Sequence, residues 1–431
     1  MRSKVKEIIE QKLQQVKTID VHNHLRPEKT SANNIADIML YHHVRSELVS
    51  ANMSLDGSTL DLQDNLDNTD RQPRDRVKTG LKYYKNIKNT TLGLFLKWIL
   101  SDLYGIREEI DEINLEKTAS LIEERGRDLK WQEDVFDKYC GIERSITVEE
   151  GIPHSNRILK GKSIFSGCLI SGMNILPKHT ISQIEETFGK SLNTSQDYCD
   201  YIKGFIRKLP TSEYAFYNTR ILPYLTFEKT TEKDITNIIK KAKSGQFIDT
   251  VEIGSFCYFT LKNILAELRE TKTNLNVIQV TLGADVLPPH RPITHWSDSC
   301  CRSLAMLANE NEDFQFNVTS ASDIFTQDLG IIAKHIPNIS IAGYWWHTLY
   351  PFYIKKAVET RLDMIPMNKI IAFFSDAYCS EWCYPKLKLV KEIWAQVLIE
   401  RVERGWYDID TVLEIIQKAF YDNPKKIYHI S

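Results

Sequence analysis

The strongest constraint on the fold is an alternation of short apolar runs, rich in β-forming residues, with stretches of helical periodicity over most of the 431 residues. This alternation is typical of parallel α/β folds, because a helix returns the chain to the starting edge of the sheet after each strand. We count eight candidate strands, at 18–22, 144–148, 220–226, 250–253, 277–282, 314–318, 339–343 and 370–374.

Eight strand–helix units close naturally into a TIM-like (β/α)8 barrel, so the sequence predicts an α/β fold with a single barrel domain over residues 1–431. Two stretches without clear strand patterns interrupt it: a mostly helical insertion at 33–140, between strands one and two, and a second helical insertion at 180–208. The Asp/Asn-rich segment 60–76 predicts a loop. An open doubly wound sheet is the structural alternative, although no glycine-rich phosphate loop supports it.

Charge and cysteine usage limit the kinds of partner. The 55 Lys and Arg residues nearly balance the 57 Asp and Glu residues, so charge favours neither nucleic acid nor an anionic membrane. Segment 1–17 predicts an amphipathic helix rather than a signal peptide, and the eight cysteines show no CxxC spacing. We therefore expect a cytoplasmic protein with reduced thiols, no membrane span, no nucleic-acid partner and a small-molecule substrate. Assembly into a homo-oligomer stays open.

Two histidines end the first predicted strand, in the stretch TIDVHNHL at 18–25. Side chains at i and i+2 of a strand project from the same face, so His22 and His24 point the same way. Such a pair suits a metal ion, and the alternative is an exposed pair in a loop. The deciding observation lies at the other end of the chain.

The eighth predicted strand ends in FFSDAY, at 373–378, which places Asp376 directly after an apolar run. A carboxylate there is costly unless it is paired or coordinated, although a helix cap is the alternative role. Strands one and eight are neighbours in a closed barrel, so Asp376 would meet His22 and His24 at the barrel mouth. Two imidazoles and one carboxylate leave coordination positions open, which predicts one divalent metal ion, with Zn²⁺ as the first expectation.

The wider pattern resembles the uronate isomerases of the amidohydrolase superfamily, as a divergent member. The HxH pair and the aspartate are shared by the superfamily, and more specific marks are spread along nearly the whole chain. These marks are Tyr41-His42-His43 with Arg45, Arg220 followed by Pro223, Gln279 with Gly283-Ala284, Gly343-Tyr344-Trp345-Trp346 and Tyr421-Asp422-Asn423-Pro424-Lys425-Lys426. The resemblance implies a metal-dependent aldose–ketose isomerase of carbohydrate metabolism. Its substrate would be a hexuronate of the glucuronate or galacturonate type, and a proton would move between adjacent carbons through an enediol.

The resemblance also implies roles for individual residues. Asp376 would handle one proton transfer, and His43, which stands where the family usually has tyrosine, would shuttle protons near neutral pH. Arg220 would clamp the sugar carboxylate, because guanidinium binds carboxylate through two parallel hydrogen bonds. The remaining residues implied for the substrate pocket are His42, Trp345 and Trp346.

The sequence departs from the uronate isomerase pattern on strands five and eight. Tyr378 stands where the family has an arginine, and QVTLGADV at 279–286 lacks the histidine and arginine of the family's QLHxGAxR. His290, in the following loop, is a substitute substrate-binding residue, together with Tyr378 itself. Because sites built on charged hydrogen bonds tolerate such losses poorly, a mononuclear metal-dependent hydrolase stays as the alternative, acting as a lactonase or amidohydrolase on a carboxylated small molecule. A barrel that only binds is a third hypothesis.

The number of metal ions follows from the fourth predicted strand. No lysine ends the segment 250–253, so the bridging lysine of two-metal relatives is missing from this position. We therefore expect a single ion, with Glu252 as an outside candidate ligand for a second.

Overall fold

In the computed structural model, the described residues are 2–26, 28–53, 58–150, 163–169, 177–209, 214–271, 275–283 and 299–430. Within them, eight strands pair in parallel as one sheet, in simple chain order from the first to the eighth. The strands are β1 (Thr18–Asn23), β2 (Ile142–Glu150), β3 (Ser163–Leu169), β4 (Tyr214–Ile221), β5 (Val277–Leu282), β6 (Gln315–Ser320), β7 (Ile339–Ala342) and β8 (Ile370–Ile371).

Helices precede, connect and follow these strands, as the parallel connections require. They are α1 (Arg2–Gln15), α2 (Ile35–Met39), α3 (His42–Ala51), α4 (Ser58–Asp67), α5 (Pro73–Tyr84), α6 (Thr91–Trp98), α7 (Leu115–Arg127), α8 (Leu129–Asp134), α9 (Pro177–Phe188), α10 (Ser195–Lys208), α11 (Glu232–Ser244), α12 (Thr250–Glu270), α13 (Ser299–Asn309), α14 (Thr326–His335), α15 (Pro351–Met364), α16 (Cys383–Glu403), α17 (Ile409–Gln417) and α18 (Asn423–Ile427). None of the helices in the described part of the chain combines the length with the apolar character that a bilayer-spanning segment requires.

The parallel α/β architecture predicted from the alternation is confirmed, but two strand assignments were wrong. Segment 250–253 opens α12, because Asp249 forms a capping box: its carboxylate accepts a bond from the amide of Glu252 at 2.9 Å, and the Glu252 carboxylate accepts one from the amide of Asp249 at 3.2 Å. The strand missing from the prediction is β3. Segment 220–226 overlaps only the end of β4, so it marks the fourth strand and not the third.

The helices between β1 and β2 are α2 to α8, and those between β3 and β4 are α9 and α10. The loop predicted at 60–76 is wrong, since this segment contains most of α4 and the start of α5, where Pro73 occupies the first turn. The fully buried Glu381 connects the segment between β1 and β2 to the segment that follows β8. Its carboxylate accepts hydrogen bonds from the amide of Ala32 at 2.9 Å, the hydroxyl of Tyr104 at 2.9 Å and the indole of Trp131 at 3.0 Å.

Backbone hydrogen bonds also join the two ends of the sheet. The amide of Asp376 donates to the carbonyl of His22 at 2.9 Å, and the amide of His24 donates to the carbonyl of Ala377 at 2.9 Å. The buried carboxylate of Asp20 strengthens this contact, because it accepts bonds from the amide of Ser375 at 2.8 Å and from its hydroxyl at 2.6 Å. The end of β1 therefore lies beside the segment that follows β8.

Apolar side chains from the strands form a separate interior cluster, to which the end of the chain contributes. Val21, Phe216 and Val277 belong to this cluster, and Tyr428 and Ile430, which follow α18, pack among them. A second, larger cluster contains the apolar faces of the helices. Tyr428 and Ile430 thus pack among the strand residues, where burial of apolar surface stabilises them.

Candidate active site

Three side chains predicted as metal ligands meet at the carboxyl ends of β1 and β8. The Oδ1 atom of Asp376 lies 3.3 Å from Nε2 of His22 and 3.3 Å from Nε2 of His24. The ligand atoms of all three lie within 4.8 Å of one another. His22 and Asp376 are only 8% and 7% exposed, whereas His24 is partly open to solvent. The arrangement is that of a cation site with one accessible side.

The hydrogen bonds of Gln279 fix the protonation of His22. The amide nitrogen of Gln279 donates to the carbonyl of Val21 at 3.0 Å, so its Oε1 is the atom that faces Nδ1 of His22 at 2.5 Å. That Oε1 also accepts a bond from the side chain of Asn218 at 3.0 Å. Nδ1 of His22 therefore carries a proton, and Nε2 is the ring nitrogen that faces Asp376.

A carboxylate oxygen beside Nε2 of His22 is favourable when a positive charge lies between the two, which either a proton on Nε2 or a bound cation supplies. The donor set of two imidazoles and one carboxylate suits Zn²⁺ and related divalent ions. The bond from Gln279 to His22 also resembles the outer-sphere contacts that orient metal-binding histidines. His22, His24 and Asp376 are thus the residues that fit a divalent metal ion.

The backbone at Asp376 adopts an unusual conformation that its neighbours hold in place. Its φ of 49° lies in the left-handed region, which is uncommon for residues other than glycine and recurs at functional sites. The Tyr41 hydroxyl donates to the carbonyl of Asp376 at 2.7 Å. The buried ammonium of Lys386 donates to the Tyr41 hydroxyl at 3.1 Å and to the carbonyl of Ser375 at 2.6 Å. These bonds aim the Asp376 carboxylate at the histidines.

The side chain of Trp345 contacts the proposed metal ligand directly. Its indole Nε1 donates to Oδ2 of Asp376 at 2.7 Å, which leaves Oδ1 for the two histidines. Burial would raise the pKa of the Asp376 carboxyl, but the neighbouring imidazoles of His22 and His24 bring it well below the ordinary value. Asp376 is therefore ionised at neutral pH. Trp346 follows in a short turn, and its side chain lies outside the described part of the structure.

The start of α3 brings two further histidines to the same carboxylate. The rings of His42 and His43 lie 4.1 Å apart, and both residues belong with Asp376 to a second group whose possible ligand atoms lie within 4.8 Å of one another. Tyr378 connects the two groups, because its ring stacks on His24 at 4.8 Å and meets the edge of His42 at 5.0 Å. With 53% of Tyr378 exposed, this aromatic contact forms the rim of the site.

Both histidines on α3 are neutral at physiological pH. Burial, reinforced by Lys386, lowers the pKa of His43 to about 3. Burial, reinforced by His43, holds the pKa of His42 well below its ordinary value. The proton shuttle near neutral pH stays a prediction for His43, whose imidazole is neutral in this range. A neutral His43 donates and accepts hydrogen bonds without changing charge.

Three other residues considered for the site have different outcomes. Arg220 lies on β4 two residues after Asn218, whose side chain reaches Gln279, so both belong to the interior face of the strand. Glu252 is wrong as a ligand for a second metal ion, because it caps α12 and forms an ion pair with Lys241 at 2.6 Å. His290 lies outside the described residues.

Several residues that support the site had no recognised role in the sequence. Tyr41 and Gln279 were noted only as part of the resemblance. Tyr41 directly precedes His42 in the sequence, and Gln279 contacts the predicted ligand His22. Nothing in the local pattern around Lys386, Asn218 or Tyr428 indicates their contacts, because each contact joins segments that are far apart in the chain. His22 and Asp376 need hydrogen-bond partners because they are buried, but the sequence does not indicate which residues supply them.

The fold and the site define the chain as a parallel α/β protein with a candidate mononuclear metal centre at the carboxyl ends of its strands. No protein-family model and no curated protein matched the sequence. Among solved structures, the chain has the fold of the uronate isomerases over nearly its whole length, which confirms the resemblance at the level of the fold.

Three of these structures illustrate the similarity. A uronate isomerase from Thermotoga maritima has a TM-score of 0.81 and 15% identity, covering 99% of this chain and 97% of that chain. A glucuronate isomerase from Caulobacter crescentus has a TM-score of 0.80 and 14% identity, covering 100% and 95%. A uronate isomerase from Bacillus halodurans has a TM-score of 0.76 and 15% identity, covering 100% and 97%. A structure described as a metal-dependent hydrolase, from Lactobacillus casei, has a TM-score of 0.60 and 12% identity.

Proposed function

We propose that the protein is a metal-dependent aldose–ketose isomerase that acts on a hexuronate, such as glucuronate or galacturonate, or on a related sugar acid. The observation that carries the proposal is the meeting of His22, His24 and Asp376 below the histidines of α3, in a fold shared along the whole chain with uronate isomerases. The hydrolase alternative is not favoured, since the solved isomerases have the higher TM-scores. We expect the reaction to take place in the cytoplasm.

We also propose that the sheet closes into a TIM-like (β/α)8 barrel, as one domain over residues 1–431 with helical insertions at 33–140 and 180–208. The bonds from Asp376 to His22 and from His24 to Ala377 support closure, because they link the end of β1 to the segment that follows β8 through the backbone. In such a barrel, the proposed ligands lie at the carboxyl-terminal mouth, where βα loops form active sites.

One divalent metal ion, with Zn²⁺ as the first candidate, would polarise the carbonyl and the adjacent hydroxyl of the open-chain sugar. The residues supply the proton transfers. We assign to Asp376, an ionised carboxylate with one oxygen held by Trp345, the removal of the proton from the carbon next to the aldehyde and its return to the aldehyde carbon. His43, as a neutral imidazole, donates a hydrogen bond to the oxygen that gains charge in the enediol.

The substrate carboxylate needs a cation, and Arg220 is our candidate. It lies on the interior face of β4, one side-chain step closer to the carboxyl end of the strand than Asn218. Its guanidinium would bind the carboxylate through two parallel hydrogen bonds. We assign the rest of the pocket to His42, Tyr378, His290, Trp345 and Trp346. The substitution of the family's arginine by Tyr378 removes one charge, so the clamp depends more heavily on Arg220.

The test is isomerisation with isotope exchange. Purified protein, reconstituted with Zn²⁺, Mn²⁺ or Co²⁺, is incubated with glucuronate, galacturonate and their ketose isomers in heavy water. We expect ketose formation and incorporation of deuterium at the carbon next to the carbonyl. Glucose is the matched control, because it lacks the carboxylate and should react far more slowly. Absence of both interconversion and exchange with every uronate would refute the proposal, and release of acid from lactones or amides would establish the hydrolase instead.

A further inference from the structure

A chain of buried hydrogen bonds runs from the proposed metal ligand His22 to the end of the polypeptide. Gln279 accepts from Nδ1 of His22 through its Oε1, and its amide nitrogen donates to the hydroxyl of Tyr428 at 2.8 Å. That hydroxyl donates to Oδ1 of Asn317 at 2.6 Å, and the amide nitrogen of Asn317 donates to the hydroxyl of Ser340 at 2.8 Å. Contributions from β1, β5, β6 and β7 thus meet around one tyrosine.

Tyr428 reaches this position from the amino-terminal end of the strands, opposite the proposed substrate side. It follows α18, is 3% exposed, and packs edge-on against Phe216 near the start of β4 at 5.7 Å. Val277, the first residue of β5, and Ile430 belong to the same interior cluster. The end of the chain therefore fills the base of the strand framework, and the Tyr428 hydroxyl is its polar tip.

The hydroxyl of Tyr428 uses its acceptor and its donor at the same time, so the direction of the whole chain is determined. If the amide of Gln279 were flipped, its oxygen would face the carbonyl of Val21, and its nitrogen would face the side-chain nitrogen of Asn218. Both of these buried contacts would be unfavourable. Tyr428, which accepts from the amide nitrogen of Gln279, therefore stabilises the orientation that presents Oε1 to Nδ1 of His22.

We propose that Tyr428 is a positioning residue for the metal ligand His22, acting through Gln279, so that the carboxyl-terminal segment forms part of the metal site. The inference rests on the metal centre of the proposed function, but it does not depend on which sugar acid is isomerised. Residues that orient metal-binding histidines typically change metal affinity by roughly 10- to 100-fold when removed.

The test compares Tyr428→Phe with Tyr421→Phe in the full-length protein. Both substitutions remove one hydroxyl from a tyrosine that packs near the interior cluster, but the Tyr421 hydroxyl donates to Glu143 at 2.6 Å. Affinity for Zn²⁺ is measured on metal-depleted protein by competition with a chromophoric chelator. We expect Tyr428→Phe to bind Zn²⁺ roughly 10-fold more weakly than wild type, and Tyr421→Phe to bind it within about twofold of wild type.

Three further variants separate positioning from loss of stability. Gln279→Leu should weaken Zn²⁺ binding at least as much as Tyr428→Phe, and the double variant should bind like Gln279→Leu alone, because the two residues act on one path. Ile430→Ala should lower the thermal midpoint by removing buried apolar surface, yet leave the absorption spectrum of bound Co²⁺ unchanged. Tyr428→Phe should shift that spectrum.

The results distinguish two failures. If wild type binds Zn²⁺ but Tyr428→Phe binds it equally well, or if the effects of Tyr428→Phe and Gln279→Leu are additive, the positioning role is wrong and the metal centre stands. If wild type binds no divalent ion, the metal centre is wrong and the inference falls with it.

Discussion

The strand-borne and helix-borne halves of the proposed site are built in different ways. His22 and Asp376 are nearly closed to solvent and hydrogen-bonded to buried groups, through Gln279 and Trp345 respectively. His42 and His43 stand on α3, are partly exposed, and contact each other and Tyr378 mainly through their rings. The comparison teaches that the proposed metal ligands are held where β1 and β8 end, whereas the histidines proposed for the substrate stand on α3.

The largest expected effect comes from the strand-borne half. Asp376→Asn removes the only carboxylate of the proposed ligand group and should lower turnover by at least about 1,000-fold, together with Zn²⁺ content. The measurements are isomerase rate and metal analysis of the purified variant. Asp323→Asn, which loses an ion pair with Lys356 but can still accept the hydrogen bond from the Thr326 hydroxyl, is the matched control. Full activity and full metal content in Asp376→Asn would contradict the site.

His43→Gln tests the helix-borne half. Because His43 is assigned to the substrate and not to the metal ion, kcat should fall by about 100-fold while Zn²⁺ affinity stays within about threefold of wild type. Steady-state kinetics and chelator competition measure the two quantities. His335→Gln, on the exposed surface of α14, should change neither. A loss of Zn²⁺ affinity in His43→Gln as large as the loss of kcat would show that His43 also contributes to metal binding.

Glu381→Gln tests the link between the halves. The substitution places an amide NH₂ group where a carboxylate oxygen now accepts a buried bond from Ala32, Tyr104 or Trp131, which should cost about 1–3 kcal/mol in the free energy of unfolding. Urea denaturation measures the loss, with Glu124→Gln on the exposed face of α7 as the control. We expect kcat to fall more than Zn²⁺ affinity, and a selective loss of metal binding would argue against this arrangement.

The smallest expected effect concerns pH. The pKa of His43 is about 3 in the folded protein, against an ordinary value of 6.5, so the unfolded chain binds the extra proton between these values. In the metal-free protein, the contribution of neutral His43 to the free energy of unfolding is therefore complete above pH 6.5, and it is lost as the pH is lowered towards 3. His43→Gln should remove up to about 1 kcal/mol of this loss between about pH 7 and about pH 5.5. Identical pH profiles of unfolding in wild type and variant would show that folding does not lower the pKa of His43.

The strand-borne half was accessible from the sequence because its signals are local. The spacing of His22 and His24 places both on one face of a strand, and Asp376 follows an apolar run. The helix-borne half was not accessible in the same way. The position of α3 beside the proposed ligands depends on long-range contacts. One is the stacking of the Tyr41 ring on Trp382, with the ring centroids 4.2 Å apart, which no local sequence pattern predicts.

The errors in the strand assignment have similar physical causes. The β-branched residues at 250–253 suggested a strand, but the Asp249 capping box made the segment the first turn of a long helix. β3 was missed because its sequence SIFSGCL mixes apolar with small polar residues, and its order comes from pairing with β2 and β4 on both sides. The role of Tyr428 could not be predicted, since it lies 149 residues from Gln279 in the chain.

Tyr41 directly precedes α3, and its hydroxyl holds the carbonyl of Asp376. A displacement of α3 would therefore disturb the hydrogen bond that holds the loop carrying the carboxylate. Substitutions at His43 or Tyr378 leave this hydrogen bond in place. A substitution at Tyr41, in contrast, would change both the residue that precedes α3 and the hydroxyl that holds the backbone of Asp376.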